Sequence, residues 1–167
     1  EWSRLAAVLP AIRQSLPQVA LSVDTYKGEV ARRALEAGAD IINDVYALRR
    51  SPEIAQLAVQ CGAGLILMHM QGDPQTMQEA PSYGDVVVEI MEMLRERMEF
   101  AMSQGVAEEA IALDPGIGFG KTLDHNLEIL AGLEHLQLLK RPICIGVSRK
   151  GFLGKLTGGA GPADREE

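Results

Sequence analysis

Apolar and polar positions along the chain follow two periods, and the periods take turns. Over residues 3–15, Leu5, Val8, Leu9 and Ile12 recur at helical spacing. VALSVDT, 19–25, is a short β-rich run; GEVARRALEAG, 28–38, is helical and stops at Gly38; DIINDV, 40–45, is again strand-like. SPEIAQLAVQCG, 51–62, predicts a helix with Ser51 as N-cap, Pro52 at its first position and Gly62 closing it. GLILMHM, 64–70, is a third strand, followed by the polar loop QGDPQTMQEAPSYG, 71–84. From about Asp85 to Ser103 runs the longest helix, its apolar stripe formed by Val87, Met91, Leu94, Met98 and Ala101 and its polar face by Glu89, Glu92, Glu96 and Glu99. AIALD, 110–114, is a fourth strand; 123–140 is another helix; PICIGVSRK, 142–150, is the fifth strand. The tail GFLGKLTGGAGPADREE reads as loop, ending where a further helix could begin.

Strand and helix in repeated alternation predict parallel strands joined by crossovers. Within the strands, successive side chains point to opposite faces. Val19, Leu21 and Val23 oppose Ala20, Ser22 and Asp24; Ile111 and Leu113 oppose Ala110, Ala112 and Asp114. Ile143, Ile145 and Val147 oppose Cys144, Gly146, Ser148 and Lys150. One face is branched and suited to packing helices; the other is small and finishes on a polar group. An open doubly wound sheet wants bulky residues on both faces. The pattern therefore favours a (β/α)8 barrel, incomplete because only about five parallel strands are visible where closure takes eight.

In such folds the working residues collect at the carboxyl ends of the strands. Those ends are Asp24, Asn43 with Asp44, His69, Asp114, and Ser148-Arg149-Lys150. The stretch LDPGIGFGKT invites a phosphate-loop reading, but the spacing refuses it. A Walker loop needs glycine five residues before Gly120, where this chain has Pro115. A dinucleotide fingerprint needs glycine at position 121, which is lysine.

A net charge of −7 argues against a nucleic-acid or anionic-membrane surface. No apolar run reaches the roughly 18 residues of a membrane span. Cys61 and Cys144 are far apart in sequence, and buried thiols in a reducing cytoplasm are expected. The expected location is cytoplasmic.

SVDTYKGEV, GADIINDV, LILMHMQGDPQTMQEAPSY, LDPGIGFGK and GVSRKGFLG resemble, in order and spacing, the motifs of the dihydropteroate synthase family, over essentially the whole chain. The resemblance implies a transferase of folate biosynthesis. It condenses dihydropterin-6-ylmethyl diphosphate with p-aminobenzoate, forming a C–N bond with loss of diphosphate, and is a target of sulfonamides. It also implies that residues 1–167 are part of one pterin-binding domain, its third to seventh βα units, with two N-terminal strands and the last strand absent, and that this portion alone turns over poorly. Mg²⁺ is implied as cofactor, with its protein ligand on an N-terminal loop and none in this chain. The implied partners are the two small-molecule substrates and a second copy of the complete protein in a homodimer.

Residue by residue, Asp24 matches the family carboxylate beside the pterin, where it can stabilise cationic character as diphosphate leaves. Asn43 suits the edge of a pterin ring, and its neighbour Asp44 points away to cap or pair. Met68 fits an apolar contact on the pterin face. Asp114 can accept the pterin's 2-amino group and N3–H as a fork. Phe119 resembles the residue bordering the aminobenzoate, Ser148 can bind its carboxylate, and Lys150 lies where both substrates meet. Asp24 and Lys150 are the candidate catalytic groups. Arg149 has the opposite parity and is open between surface and site. His69 reads as a hydrogen-bonded structural histidine, His125 and His135 as surface residues, and Lys121 as paired with solvent or an acidic helix. Two alternatives use the same residues: a domain like methyltetrahydrofolate–corrinoid methyltransferases, which share the pterin-binding half, and an inactive fragment.

Overall fold

A computed structural model describes residues 1–73, 75–156, 158 and 159. The end of the tail, where a further helix was expected, lies outside the described residues. Helices α1 (Trp2–Leu5) and α2 (Val8–Ser15) lead into strand β1 (Ser22–Asp24), α3 (Gly28–Glu36), β2 (Ile41–Asp44), α4 (Ile54–Cys61) and β3 (Gly64–Met68). Then come α5 (Val86–Ser103), β4 (Ile111–Asp114), α6 (Leu123–Ala131), α7 (Leu133–Leu136) and α8 (Gly151–Leu156). The four strands pair in parallel and in sequence order, β1-β2-β3-β4. Each neighbour pair is bridged by a helix, so the sheet winds one way only, as a barrel wall does.

The branched face of the strands makes the core. Val23, Ile42, Leu65, Leu67, Ile111 and Leu113 pack with Ala31, Ala34, Ala55, Ala58, Ile90, Leu94 and Ile129 of the helices. Small alanines on α3 and α4 let these short helices lie close to the sheet, which suits close interior packing. The opposite face carries a smaller cluster near its carboxyl end, formed by Tyr46, Met68 and Met70 with Tyr26, Met77 and Phe119 against them.

Several expectations change. The fifth strand shrinks to one bridge, Leu113 to Ile143, with Cys144 N–H donating to the Leu113 carbonyl at 2.8 Å. No described strand pairs with its outer side, and by Ser148 and Arg149 the chain has turned. The helix over 3–15 breaks at Ala6 and Ala7, and Val8 and Ile12 of its stripe stay exposed. Ser51 does not cap α4, which begins at Ile54; its hydroxyl accepts from Gly28 N–H at 3.2 Å instead. On α5 Leu94 and Ala101 are buried as expected, but Val86 and Ile90 take the buried places expected of Val87 and Met91, and Val87, Met91 and Met98 pack only partly buried. Gly132 divides the helix over 123–140. The tail begins with α8 rather than loop. Both cysteines are free and exposed, Cys61 as the last residue of α4 and Cys144 on the small face of the edge segment. Among the described residues no helix is long and apolar enough to cross a membrane.

Asp85 caps α5, accepting from Val87 N–H at 3.1 Å and Val88 N–H at 3.0 Å. Asp85→Ala is expected to lower stability by about 1 kcal/mol, a shift in melting temperature of roughly 2–4 °C. Thermal denaturation followed by circular dichroism measures it.

Candidate functional site

Register places the polar groups in one neighbourhood. Asp24 is paired with Asn43 across β1 and β2, and Met68 with Asp114 across β3 and β4. Asn43 is level with Ile66, whose face is also that of Met68 two residues on. All four side chains therefore stand on the small face at the carboxyl ends. Lys150 comes over the same face from beyond Ile143, its Nζ 4.1 Å from the Phe119 ring centroid. Its charge is felt at both Asp24 and Asp114. Ser148 and Arg149 do not join this group so directly; both are exposed, Arg149 with φ of 57°.

Electrostatics follow from crowding. Burial raises the pKa of Asp114, against the Gly116 N–H at 2.6 Å from its Oδ1 and the pull of Lys150 and Lys121. Asp24 is open at the rim, yet the protein packed around it raises its pKa, helped by Glu1 and opposed by Lys150. Desolvation lowers Lys150 despite both carboxylates. Each charge thus has a counter-charge nearby, and at the buried Asp114 water is scarce, so a molecule bound there would feel a strong field. Among the described residues, Asn43 Oδ1 is a buried side-chain oxygen with no hydrogen-bond partner. An orphaned acceptor costs about 1–3 kcal/mol, and a donor supplied from outside would relieve it.

The neighbours behave as secondary supports. Asp44 is fully buried and accepts from Tyr46 and Leu48 N–H, both at 2.8 Å, so it caps the turn after β2. Three amides of the glycine loop are already engaged: Gly116 N–H by Asp114, Gly118 N–H by Asn126 Oδ1 of α6 at 2.7 Å and Phe119 N–H by the Gly116 carbonyl at 3.0 Å. It is not a phosphate cradle. Gly116 and Gly120, at φ of 68° and 65°, lie on the backbone of residues 69–71; a Cβ would meet His69 O at 1.9 Å or Gln71 O at 2.4 Å.

Sequence reasoning missed two residues here. Lys121, expected to face solvent or an acidic helix, is 3% exposed and contacts His69. His69 is hydrogen-bonded, as expected, but its partner is a lysine. His125 is half-buried rather than on the surface, completing a capping box with Thr122 and standing edge-on to Tyr83 at 4.9 Å; His135 is exposed as expected. Their only signal was position after a strand end, because the His69–Lys121 contact spans 52 residues. A groove of about 520 Å³ lies elsewhere, between α5 and the α6–α7 segment in the outer layer.

The pterin-binding enzyme family matches the chain over residues 1–167. Curated relatives from Synechocystis sp. and Escherichia coli K12, each a dihydropteroate synthase, are 42% identical over 165 residues. That match covers 99% of this chain and 57% of each relative, so the chain spans just over half their length. Among solved structures, the Yersinia pestis dihydropteroate synthase with a sulfonamide drug superposes with a TM-score of 0.93 at 38% identity, over 99% of this chain and 59% of that one. The Thermus thermophilus dihydropteroate synthase with 6HMPPP gives 0.91 at 43% identity, over 99% and 64%. A Xanthomonas albilineans dihydropteroate synthase in complex with 7,8-dihydropteroate gives 0.84 at 40%, over 96% and 59%. The sheet is thus an arc of an incomplete (β/α)8 barrel.

Proposed function

The chain belongs to the pterin-binding enzyme family, and from that premise we propose that it carries the pterin-binding face of a dihydropteroate synthase. The reaction joins the nitrogen of p-aminobenzoate to the methylene carbon of dihydropterin-6-ylmethyl diphosphate. The observation that carries this reading is the shared face: an orphaned Asn43 oxygen and the Asp114 carboxylate stand on the same side of the strand ends, with the Lys150 ammonium close enough for its charge to act on Asp114.

The chemistry follows from those groups. A carboxylate has about four lone-pair sites, so Asp114, with one taken by Gly116, can still accept two coplanar pterin donors. Asn43 meets a third donor on the ring edge. Met68 lies under the ring as an apolar floor. Asp24, at the rim, stabilises positive charge as the methylene carbon loses diphosphate. Lys150, over Phe119, presents a cation beside an aromatic wall, which suits an aromatic carboxylate and the pterin carbonyl alike; Ser148, exposed in the turn before Lys150, is assigned to the benzoate carboxylate on the family resemblance alone. The nitrogen–carbon bond forms as the carbon–oxygen bond to diphosphate breaks, and the attacking amine releases one proton to solvent. An aniline is nucleophilic when neutral, so orientation and exclusion of water are what the protein must add.

Among the described residues no three His, Cys, Asp or Glu side chains gather as a metal-binding group. Mg²⁺ therefore enters this reading only as counter-ion to the diphosphate, and no step here is routed through it. The homodimer and the cytoplasmic location are likewise part of the proposal.

The test is direct. The complete protein, given both substrates and Mg²⁺, is expected to release dihydropteroate and diphosphate in equal amounts, with sulfonamides competing against p-aminobenzoate. Indifference to p-aminobenzoate, with methyl transfer from methyltetrahydrofolate to a corrinoid instead, would overturn it.

A further inference from the structure

A buried contact between the end of β3 and the glycine loop has no part in the reaction just described. Lys121 Nζ lies 3.0 Å from His69 Nδ1 and donates to the Phe119 carbonyl, also at 3.0 Å; the His69 carbonyl is at 3.5 Å, the limit of bonding range. Both side chains are buried, at 3% and 6% exposure. Sequestering an amine and an imidazole together is costly unless their polar atoms are paired. Burial draws Lys121 down to about 7, against the pull of Asp114. Burial, with Lys121 and Arg49 nearby, draws His69 to about 3. His69 is therefore neutral, and while Lys121 keeps its proton the ammonium is the donor and Nδ1 the acceptor.

The contact reaches the site through one residue. The carbonyl that Lys121 holds belongs to Phe119, whose ring faces the Lys150 ammonium. Gly118 and Gly120 flank Phe119 with φ of 80° and 65°. Ile117 anchors the loop in the core, but the glycines on either side of Phe119 add no side chains of their own, so hydrogen bonds to the carbonyls around it help to set its position. Gln78 Nε2 holds the Gly118 carbonyl at 2.6 Å and Tyr83 Oη the Gly120 carbonyl at 2.8 Å, both from the 71–84 loop. Lys121 adds the buried tie, joining the Phe119 carbonyl to His69 at the strand end.

We propose that Lys121 and His69 form a staple that positions Phe119, making them positioning residues for the p-aminobenzoate half of the site. The assignment of that substrate rests on the dihydropteroate synthase reading; the staple does not.

Three variants of the complete protein test it: Lys121→Met, His69→Leu, and His69→Asn, whose amide oxygen can take the place of Nδ1. Lys121→Met and His69→Leu are expected to raise KM for p-aminobenzoate about ten-fold, the scale of one buried hydrogen bond; KM for the pterin diphosphate stays unchanged in His69→Leu, whereas Lys121→Met also removes a cation that acts on Asp114. His69→Asn restores the wild-type value. Without any substrate, fluorophenylalanine NMR of Phe119 should give one narrow resonance in wild type and His69→Asn, and a broadened or split one in the other two. In His69→Leu, equal losses on both substrates or a narrow Phe119 resonance would refute the staple. Should Lys121→Met not fold, the two His69 variants still decide. Absence of condensation by the wild-type protein would remove the substrate reading and leave the resonance test standing.

Discussion

Asp114→Asn is expected to abolish measurable pterin binding while leaving the fold at least as stable as wild type. Asparagine keeps the shape, and its Oδ1 can still accept the Gly116 N–H that now lies 2.6 Å away. It cannot serve a fork, because its amide nitrogen would face a second donor. Two hydrogen bonds to a charged acceptor are worth about 3–6 kcal/mol together, so affinity should fall a hundred-fold on the order-of-magnitude scale, or further. Isothermal titration with a dihydropterin measures it; unchanged affinity would overturn the assignment of Asp114.

The stability half of that expectation has its own cause. Burial raises the Asp114 pKa in the folded state, so the folded protein holds this proton to higher pH than the unfolded chain does. The ionised group therefore weighs against the fold, and its contribution to stability falls as pH rises through the folded pKa. A neutral asparagine escapes that penalty. Pterin affinity has the opposite sign: it needs the carboxylate and is lost as pH falls through the same raised pKa. Stability kept and binding lost separates a ligand-binding carboxylate from a structural one.

How much of this could be read beforehand depended on the range of the interaction. Parity along a strand is local, so alternation in 19–24 and 110–114 placed Asp24 and Asp114 on the small face, where they stand. The helix stripes were less secure because 3.6 residues per turn makes a one-residue rotation easy: Val86 and Ile90 bury where Val87 and Met91 were expected. Strand length failed at 142–150 for a different reason. A strand is made by its partners, and among the described residues only Leu113 bridges Ile143. Ser51 illustrates competition: the N-cap pattern was correct in type, but Gly28 N–H took the hydroxyl.

The site divides along the same line. Asp24, Asn43 and Asp114 were legible because strand ends in this architecture converge; Lys150 reaches the same face from a turn, not from the strand end expected. Lys121 was not, since nothing in a helix-flanking lysine announces a buried imidazole 52 residues away. The exposed cysteines were misjudged because apolar composition predicts average burial and not which face an edge segment turns outward.

Gly116→Ala is expected to be the most damaging single methyl in the chain. The residue has φ of 68°, and the new Cβ would stand 1.9 Å from the His69 carbonyl oxygen and 3.0 Å from its carbon. Left-handed backbone costs a non-glycine residue about 1–2 kcal/mol, and forcing extra volume into a packed site about 1–3 kcal/mol more. Neither atom in conflict is on a side chain that could swing away, so the loop itself must move. A loss of about 2–5 kcal/mol corresponds to roughly 4–20 °C in melting temperature for a domain of this size. Gly146→Ala is the control, since a Cβ there meets nothing within 4 Å, and it should melt with wild type. The displacement also has a functional consequence. Moving residue 116 away from His69 withdraws the amide that orients Asp114 and shifts the loop that Lys121 holds by Phe119. Binding of pterin should therefore fall even at temperatures where the variant remains folded. Equal melting temperatures for the two alanine variants would show that the loop does not rest on the end of β3.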